Sequence, residues 1–150
     1  MKIILASDHV GYQMKLDLAE YIKSLGHTTE DAGAFDENTT DYPIHGKAAA
    51  DKLASGEFDR AVLVCGTGFG ISLAANAAPG VRCVNCTDAY TAKLSRLHND
   101  SNAIALGARV LGLEAAKYIL ETWLSTEFEG GRHTRRVEML TEIQGKVWLK

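Results

Sequence analysis

The chain lacks the features that mark several specialised classes of protein. No apolar run approaches the roughly 20 residues that cross a bilayer, and the first, IILA, ends after four residues at Ser7 and Asp8. A net charge of −3 supplies no positive field for a nucleic acid. Three cysteines, an odd number, favour reduced thiols over a disulfide framework. We therefore expect a cytoplasmic protein with neither a membrane nor a nucleic-acid partner.

The chain does contain enough apolar residues for one core. Hydrophobic types make up 46% of its 150 positions. The sequence shows no repeat, linker or low-complexity segment. We therefore expect residues 1–150 to form a single domain.

Short apolar runs alternate with amphipathic stretches along the chain. Five runs are expected to form strands: residues 2–7, 27–33, 60–65, 81–86 and 103–107. Between and after them, apolar residues recur three or four positions apart, as Met14, Leu18 and Ile22 do, which predicts helices. This alternation is typical of an α/β protein. The predicted fold is a Rossmann-like three-layer α/β/α sandwich with a five-stranded parallel sheet and an extra C-terminal helix.

The residues that follow each strand are the first candidates for a site, because ligands of open parallel sheets bind outside the carboxyl ends of the strands. In chain order they are Asp8 and His9, residues 39–43, Cys65 with its glycines, Asp88, and Gly107 with Arg109. Ordinary loops are also polar, but an acid, an imidazole and a thiol on one edge are a less usual combination.

Three glycines follow Cys65 in the sequence CGTGFGISLAAN, residues 65–76. Gly66, Gly68 and Gly70 are one residue short of the dinucleotide fingerprint and follow the third strand rather than the first, and no lysine completes a P-loop. A nicotinamide-dependent reductase is therefore disfavoured. A non-catalytic phosphate- or nucleotide-binding module remains an alternative.

The same glycines allow the backbone to approach a ligand closely. The following helix is expected to open near Ile71 and Ser72 with unpaired amides and the positive end of its dipole, which together form an anion hole. Cys65 stands at the mouth of this hole, where the dipole favours a thiolate. A lone cysteine at a strand end is more often a small buried apolar residue, but the adjacent glycine loop favours a reactive thiol here.

The other cysteines and the histidines do not indicate a metal. Cys83 and Cys86 are three positions apart in a strand, so their side chains point to opposite faces. The five histidines lack the spacing of metal ligands, and the carboxylates do not cluster. We expect neither a metal nor another cofactor.

Two further groups of candidate residues follow helices that run back to the opposite edge of the sheet. The six residues that separate the fifth helix from the basic cluster could span about 20 Å, so the arginines could either stay at that edge or barely reach the carboxyl edge of their own chain. The fourth helix begins near Asp88 at the carboxyl edge and runs back, which puts His98 about 15 Å away. Arg132 and Arg136 share a helical face, where a phosphate would relieve their mutual repulsion. If these residues serve a site, the simplest arrangement is a two-fold dimer in which they complete the carboxyl edge of a second subunit.

Six separated blocks of sequence carry a resemblance to a known family. They are SDHVGY at 7–12, DYP at 41–43, CGTGFGISLAAN at 65–76, SRLHND at 95–100, GARVLG at 107–112 and EGGRHTRRV at 129–137. In this order they resemble the ribose-5-phosphate isomerase B family, which includes the subunits of galactose-6-phosphate isomerase. The resemblance implies a metal-free aldose–ketose isomerase that acts on a sugar phosphate. It also implies a homodimer with shared active sites, which could pair into a tetramer, and a tail at 126–150 that contacts the partner.

The resemblance further implies roles for individual residues. Cys65 would be the base that moves a proton between C2 and C1 through a cis-enediolate. His98 would be the acid that helps to open the sugar ring, with Thr67 nearby. The residues expected to bind the sugar and its phosphate are Asp8, His9, Tyr42, Gly66, Gly68, Phe69, Gly70, Ser72, Asn99, Arg109, Arg132 and Arg136. Ribose 5-phosphate and ribulose 5-phosphate are the expected sugars.

Three positions depart from the usual residues of the family. Val10 and Phe69 are larger than is common there and would narrow the cleft, and Cys83 stands where alanine is frequent. These departures bear on the length of the sugar, so a four-carbon or six-carbon sugar phosphate is the alternative substrate. The intact GGRH sequence at residues 130–133 fits the ribose branch better than the galactose 6-phosphate branch.

Overall fold

The computed structural model describes residues 1–147, in which strands and helices alternate. The strands are β1 (Lys2–Ser7), β2 (Thr28–Asp31), β3 (Arg60–Cys65), β4 (Cys83–Asn85) and β5 (Ala103–Gly107). The helices are α1 (Tyr12–Ser24), α2 (Tyr42–Ala54), α3 (Phe69–Asn76), α4 (Ala89–Asn99), α5 (Leu113–Ser125) and α6 (Thr134–Val147), with a short 3-10 turn at Gly131–His133. Within these described residues, no helix has the length and apolar character needed to span a membrane.

All five strands are parallel and lie in the order β2-β1-β3-β5-β4. The predicted five-stranded parallel sheet is confirmed, and the structure adds the strand order that the sequence left open. The chain passes from β2 on one side of β1 to β3 on the other side. The winding direction therefore reverses between β1 and β3, which is where open α/β sheets form a ligand crevice.

Helices cover both faces of the sheet, as the sequence predicted. Alternate residues of each strand point to opposite faces, so that Ile4 packs in a core with α2 and α3 while Leu5 packs in a core with α1, α4 and α5. Cys83 and Cys86 also fall in these two different cores. The three-layer sandwich is thereby confirmed. The two cysteine side chains point to opposite faces of the sheet, so they cannot share a ligand.

Two predicted strands are shorter in the structure. β2 ends at Asp31, although the chain stays beside β1 past this residue: the Ala32 amide donates to the Leu5 carbonyl at 2.8 Å and the Ala34 amide donates to the Ser7 carbonyl at 2.7 Å. β4 starts at Cys83, because the Asn102 side chain takes up the Arg82 amide at 2.7 Å. At the start of β4, a side chain thus binds a backbone amide that a longer strand would have paired.

The predicted C-terminal helix, α6, is anchored beside the amino end of β4. Gln144 accepts a hydrogen bond from the Gly80 amide at 3.1 Å and donates one to the Val81 carbonyl at 2.8 Å. This places α6 along the amino edge of the sheet. Residues 148–150, the end of the predicted tail, lie outside the described residues.

Candidate active site

The carboxyl ends of β1, β3 and β5 meet at the point where the winding reverses. Cys65 at the end of β3 pairs with Gly107 at the end of β5. The Asp8 amide donates to the Val64 carbonyl at 3.2 Å, and the Ala108 amide donates to the Cys65 carbonyl at 2.8 Å. The segments that follow these three strands are therefore direct neighbours.

The thiol of Cys65 faces the start of α3. The residue is 4% exposed, and its Sγ accepts a hydrogen bond from the Gly68 amide at 3.1 Å. Gly68 has a φ of +82°, a left-handed conformation that favours glycine, and it directly precedes Phe69, the first residue of α3. The sulfur thus meets an amide hydrogen at the positive end of a helix.

The other two thiols lie in apolar surroundings. Burial raises the pKa of Cys86 to about 11, and burial also raises the pKa of Cys83. Both therefore remain protonated near neutral pH, where only a thiolate could act as a base. All three cysteines are free.

The glycine loop, residues 66–70, is packed closely against its neighbours. A Cβ atom on Gly107 would lie 2.8 Å from the backbone carbonyl of Thr67. A Cβ atom on Gly70 would lie 2.7 Å from the ring of Tyr42, which is the first residue of α2. The absence of these side chains lets β5 and α2 hold the loop from two sides.

Asn85, the last residue of β4, holds the glycine loop from a third side. Its Nδ2 donates to the Thr67 carbonyl at 3.1 Å, and its Oδ1 would lie 2.6 Å from a Cβ atom on Gly68. Asn85 is not among the site residues predicted from the sequence. The one available signal was an amide side chain at the end of an otherwise apolar run.

Asp8 and His9 follow β1 and are both held by backbone groups. Asp8 is buried, and its Oδ1 accepts a hydrogen bond from the Gly11 amide at 3.0 Å. The Nδ1 of His9 lies 3.2 Å from both the amide nitrogen and the carbonyl oxygen of Thr40. The segment that leads into α2 is thereby tied to the end of β1.

Arg109 and Val10 border the glycine loop on its open side. A Cβ atom on Gly66 would lie 3.7 Å from Arg109 Cδ and 3.8 Å from Val10 Cγ1. The Arg109 amide also donates to the Gly66 carbonyl at 2.9 Å. Phe69, by contrast, is 65% exposed and does not fill the loop of its own chain.

Ser72 is turned into its own helix. Its amide donates to the Gly68 carbonyl at 3.2 Å and its hydroxyl donates to the Phe69 carbonyl at 2.7 Å. The prediction that the Ser72 amide is unpaired is therefore wrong, because α3 begins at Phe69 and Ser72 already lies one turn inside it. The helix therefore begins two to three residues earlier in the chain than the sequence indicated.

α4 carries His98 and Asn99 away from Cys65. Asp88 caps the start of α4, because its carboxylate accepts a hydrogen bond from the Thr91 amide at 2.8 Å. Hydrogen bonds from the Thr91 amide and hydroxyl hold the pKa of Asp88 below its ordinary value. A helix of 11 residues ends about 16 Å further on. There Asp100 pairs with Arg82, which directly precedes β4, at 2.8 Å. His98 and Asn99 therefore lie at the amino edge, where the sequence placed them.

The segment that follows α5 stays at the same amino edge. The Glu129 amide donates to the Leu97 carbonyl of α4 at 3.1 Å. The ring of His133 stacks on the ring of His98, with centroids 4.4 Å apart and planes inclined by 15°. Up to residue 147, where the described part ends, the tail does not extend back to the carboxyl edge of its own chain.

The arginines of the tail surround this pair of histidines. Arg132 donates from Nε to His133 Nε2 at 3.3 Å. Arg132, Arg135 and Arg136 are exposed, and together with Met139 they line an open groove at the start of α6. Three guanidinium groups around a groove suit a dianion such as phosphate.

The described residues include one cluster of possible metal ligands. It comprises His98, Glu129 and His133, whose ligand atoms lie within 4.8 Å of one another. The sequence spacing did not reveal this grouping, which joins α4 to the tail. However, the ring planes are inclined by 15°, so their in-plane lone pairs run side by side rather than converging on one ion. Arg132 moreover already donates to His133. We assign no metal to this cluster.

The candidate residues thus form two separate half-sites in one chain. The thiol edge comprises Asp8, His9, Tyr42, Cys65, the glycine loop and Arg109. The histidine edge comprises His98, Asn99, Arg132, His133 and Arg136. The structure does not bring the two together, because α4 and the sheet separate them.

The chain is similar in sequence and in backbone to known isomerases. The family model described as Ribose/Galactose Isomerase matches residues 3–140. Ribose-5-phosphate isomerase B of Escherichia coli (strain K12) is 46% identical over 143 residues, which cover 95% of this chain and 96% of that protein. The structure of ribose-5-phosphate isomerase B from Clostridium thermocellum matches with a TM-score of 0.96 at 48% identity, covering 98% and 99% of the two chains. That of ribose-5-phosphate isomerase B from Mycoplasma genitalium, with bound ribulose-5-phosphate, matches with a TM-score of 0.92 at 32% identity, covering 97% of each.

Proposed function

The chain belongs to the ribose/galactose isomerase family, and we propose that it interconverts ribose 5-phosphate and ribulose 5-phosphate with Cys65 as the base. It is an aldose–ketose isomerase of the ribose-5-phosphate isomerase type. The observation that carries the proposed mechanism is the Cys65 thiol at the start of α3, where Sγ accepts the Gly68 amide at 3.1 Å.

The proposed reaction moves one proton between neighbouring carbons of the open-chain sugar. The Cys65 thiolate removes the proton from C2 of the aldose, and the electrons of that bond form the double bond of a cis-enediolate while negative charge develops on the C1 oxygen. The hydroxyl proton of C2 passes to the C1 oxygen. The thiol then returns its proton to C1, and the C2 oxygen becomes the ketone. Electrons stay within the sugar, so the step needs no redox partner.

The glycine loop supplies the charge stabilisation in this proposal. The Gly68 amide donates to the thiol at the start of α3, and we assign the neighbouring amides of this helix start to the developing oxyanion, because fixed amide dipoles stabilise such a charge without rearranging. The Thr67 hydroxyl, which accepts the Phe69 amide at 3.4 Å, lies in the same loop and can pass a proton between the two sugar oxygens. Asn85 supports the loop from behind.

We assign the remaining groups to the histidine edge of a second subunit in a homodimer. His98 there acts as the acid that opens the sugar ring, and Asn99 binds a hydroxyl. Arg132 and Arg136, together with Arg109 of the thiol edge, bind the phosphate. A phosphate held in this way fixes the non-reacting end of the sugar, which places C2 at the thiol.

Exposed apolar side chains beside both half-sites support this assembly. Phe69 is 65% exposed and Leu73 is 73% exposed, and the two lie four positions apart on one face of α3. Met139 and Ile143 form a similar exposed pair on α6, beside the arginines. Contiguous apolar patches of this kind mark interaction surfaces. Phe69 accordingly belongs to the subunit interface, and the tail at 126–150 contacts the partner.

The proposal requires no cofactor beyond the residues named. Three free thiols fit a reducing compartment, and we place the enzyme in the cytoplasm.

A panel of aldose phosphates with four, five and six carbons tests the assigned substrate. We expect kcat/KM to be highest for ribose 5-phosphate, by about tenfold or more over the others, because the distance from the phosphate arginines to the thiol fits one chain length. Unphosphorylated ribose is the control, and its kcat/KM should be about a thousandfold or more below that of ribose 5-phosphate. A preference for a four- or six-carbon sugar would replace the assigned substrate. Saturable nucleotide binding without isomerase activity would favour the non-catalytic module.

Gly107→Ala tests the close fit of the glycine loop. The added methyl group would meet the Thr67 backbone, which cannot swing aside as a flexible side chain can. We expect kcat to fall about tenfold and the free energy of unfolding to fall by ~1–3 kcal/mol. Gly112→Ala is the matched control, since a Cβ atom there has nothing within 4 Å. Initial rates and thermal melts measure both effects, and equal behaviour of the two variants would contradict the fit.

A further inference from the structure

His133 is buried between residues assigned to the reaction, but it has no role in the proposed mechanism. It ends the 3-10 turn and is 5% exposed, although both of its sequence neighbours are exposed. A buried imidazole among charged groups needs partners for its ring nitrogens and its faces. The structure provides a partner for one face and for one nitrogen.

The face of the His133 ring covers the ring of His98. The centroids lie 4.4 Å apart and the planes are inclined by 15°, which is a stacked pair. His98 lies near the end of α4 and is partly exposed, and its Nε2 is 3.8 Å from Glu129 Oε2, which is beyond hydrogen-bond distance. The stack therefore determines the direction in which His98 presents its nitrogen atoms.

The Nε2 atom of His133 accepts a hydrogen bond from Arg132 Nε at 3.3 Å. An atom that accepts cannot also carry a proton, so the ring proton of neutral His133 lies on Nδ1. The Nε of Arg132 is thereby engaged, which leaves its two terminal nitrogens available for a ligand. The same imidazole thus contacts an assigned acid and an assigned phosphate ligand.

The contact with Arg132 needs the imidazole in its neutral form. Burial lowers the pKa of His133 from its ordinary 6.5, and the positive charges of His98, Arg132 and Arg136 lower it further. Glu129, whose Oε2 lies 3.8 Å from both histidine Nε2 atoms, acts in the opposite direction. As pH falls through the lowered pKa, the added Nε2 proton would face the Arg132 N–H and break the contact.

We propose that His133 is a positioning residue that fixes the His98 ring and the Arg132 guanidinium as one rigid unit. This inference rests on the proposed function, in which that unit completes the thiol edge of the partner. His133 acts through its two neighbours and touches no reacting atom. One side chain thereby couples the alignment of the ring-opening acid to the alignment of the phosphate ligand.

Two substitutions separate the two contacts. His133→Phe keeps an aromatic face for His98 but removes the acceptor of Arg132, so we expect KM for ribose 5-phosphate to rise about tenfold with kcat nearly unchanged. His133→Gln keeps an acceptor near the position of Nε2 but removes the ring, so we expect kcat to fall about tenfold with KM nearly unchanged. His27→Gln, at the distant turn between α1 and β2, is the control and should match wild type.

Nuclear magnetic resonance of the wild-type enzyme with ¹⁵N-labelled histidine provides a readout that does not depend on activity. We expect His133, assigned from the signal lost in His133→Phe, to be the neutral Nδ1–H tautomer at pH 7 and to titrate below pH 6.5. A charged ring or an Nε2–H tautomer would overturn the proposal, as would proportional losses of kcat and of affinity in both variants. Failure of the proposed function would show differently, as a wild-type protein without isomerase activity and with the tautomer intact.

Discussion

Replacing Cys65 with alanine is expected to lower kcat for ribose 5-phosphate by about a thousandfold or more, with little change in substrate affinity. In the proposed reaction Cys65 alone takes the C2 proton. The Asp8 carboxylate accepts the Gly11 amide and the His9 ring contacts Thr40, and we assign both residues to sugar binding. The loss therefore falls on the chemical step.

Cys65→Ser separates the chemistry of the thiol from its volume. A serine hydroxyl fills nearly the same space and can accept the Gly68 amide, but it ionises far less readily than a thiol, so we expect this variant to be as inactive as Cys65→Ala. Cys83→Ala is the control, because Cys83 is buried in a core and its raised pKa keeps it a thiol. Rates under saturating substrate, with binding of a non-reacting phosphate analogue, measure the effect. A Cys65→Ala enzyme that kept more than a tenth of the wild-type kcat would rule out Cys65 as the base.

The thiol edge could be predicted from the sequence because it depends on local order. Strands that alternate with helices must be parallel, and parallel strands all end at one edge, so Asp8, Cys65 and Arg109 had to lie on the same side. That they are direct neighbours depends on β5 pairing with β3, and this order is a tertiary property. The sequence therefore placed these residues on one edge without ranking their distances.

The position of His98 in the second half-site could be predicted from the length of α4. α4 begins at a cap residue that can be recognised, Asp88, and its rise per residue carries His98 to the opposite edge whatever the strand order. The tail was less determined, since six extended residues can span about 20 Å and could have turned either way. The structure resolves this through the Glu129 amide, which binds the Leu97 carbonyl and keeps the tail beside α4.

The residues that escaped prediction act through contacts between distant segments. Asn85 supports the glycine loop only because β4 and the loop after β3 are brought within 3.1 Å. His133 stacks on His98 across 35 positions of sequence, and neither residue has a spacing that reveals the other. The wrong prediction for Ser72 has a local cause: α3 starts at Phe69, so the free end of the helix lies earlier in the chain.

Mixing two inactive chains is expected to restore activity if the site is shared between subunits. In a heterodimer of Cys65→Ala and His98→Asn chains, one site lacks both groups and the other combines the intact Cys65 of one chain with the intact His98 of its partner. Heterodimers purified through two different tags should therefore have about half the wild-type rate per dimer. Each parent homodimer has two damaged sites and should remain nearly inactive.

The arrangement of the same substitutions in cis provides the decisive control. A heterodimer of a wild-type chain with a Cys65→Ala/His98→Asn chain carries the same two changes. If the sites are shared, one of its two sites lacks Cys65 and the other lacks His98, so this heterodimer should be nearly inactive. Sites contained within single chains would give the opposite pattern, with about half activity for the cis heterodimer and almost none for the trans heterodimer. Because both heterodimers contain the same substituted residues, a difference in folding or stability cannot produce the reversal. The separation of His98 from Cys65 by the length of α4 makes activity in the trans arrangement the expected result.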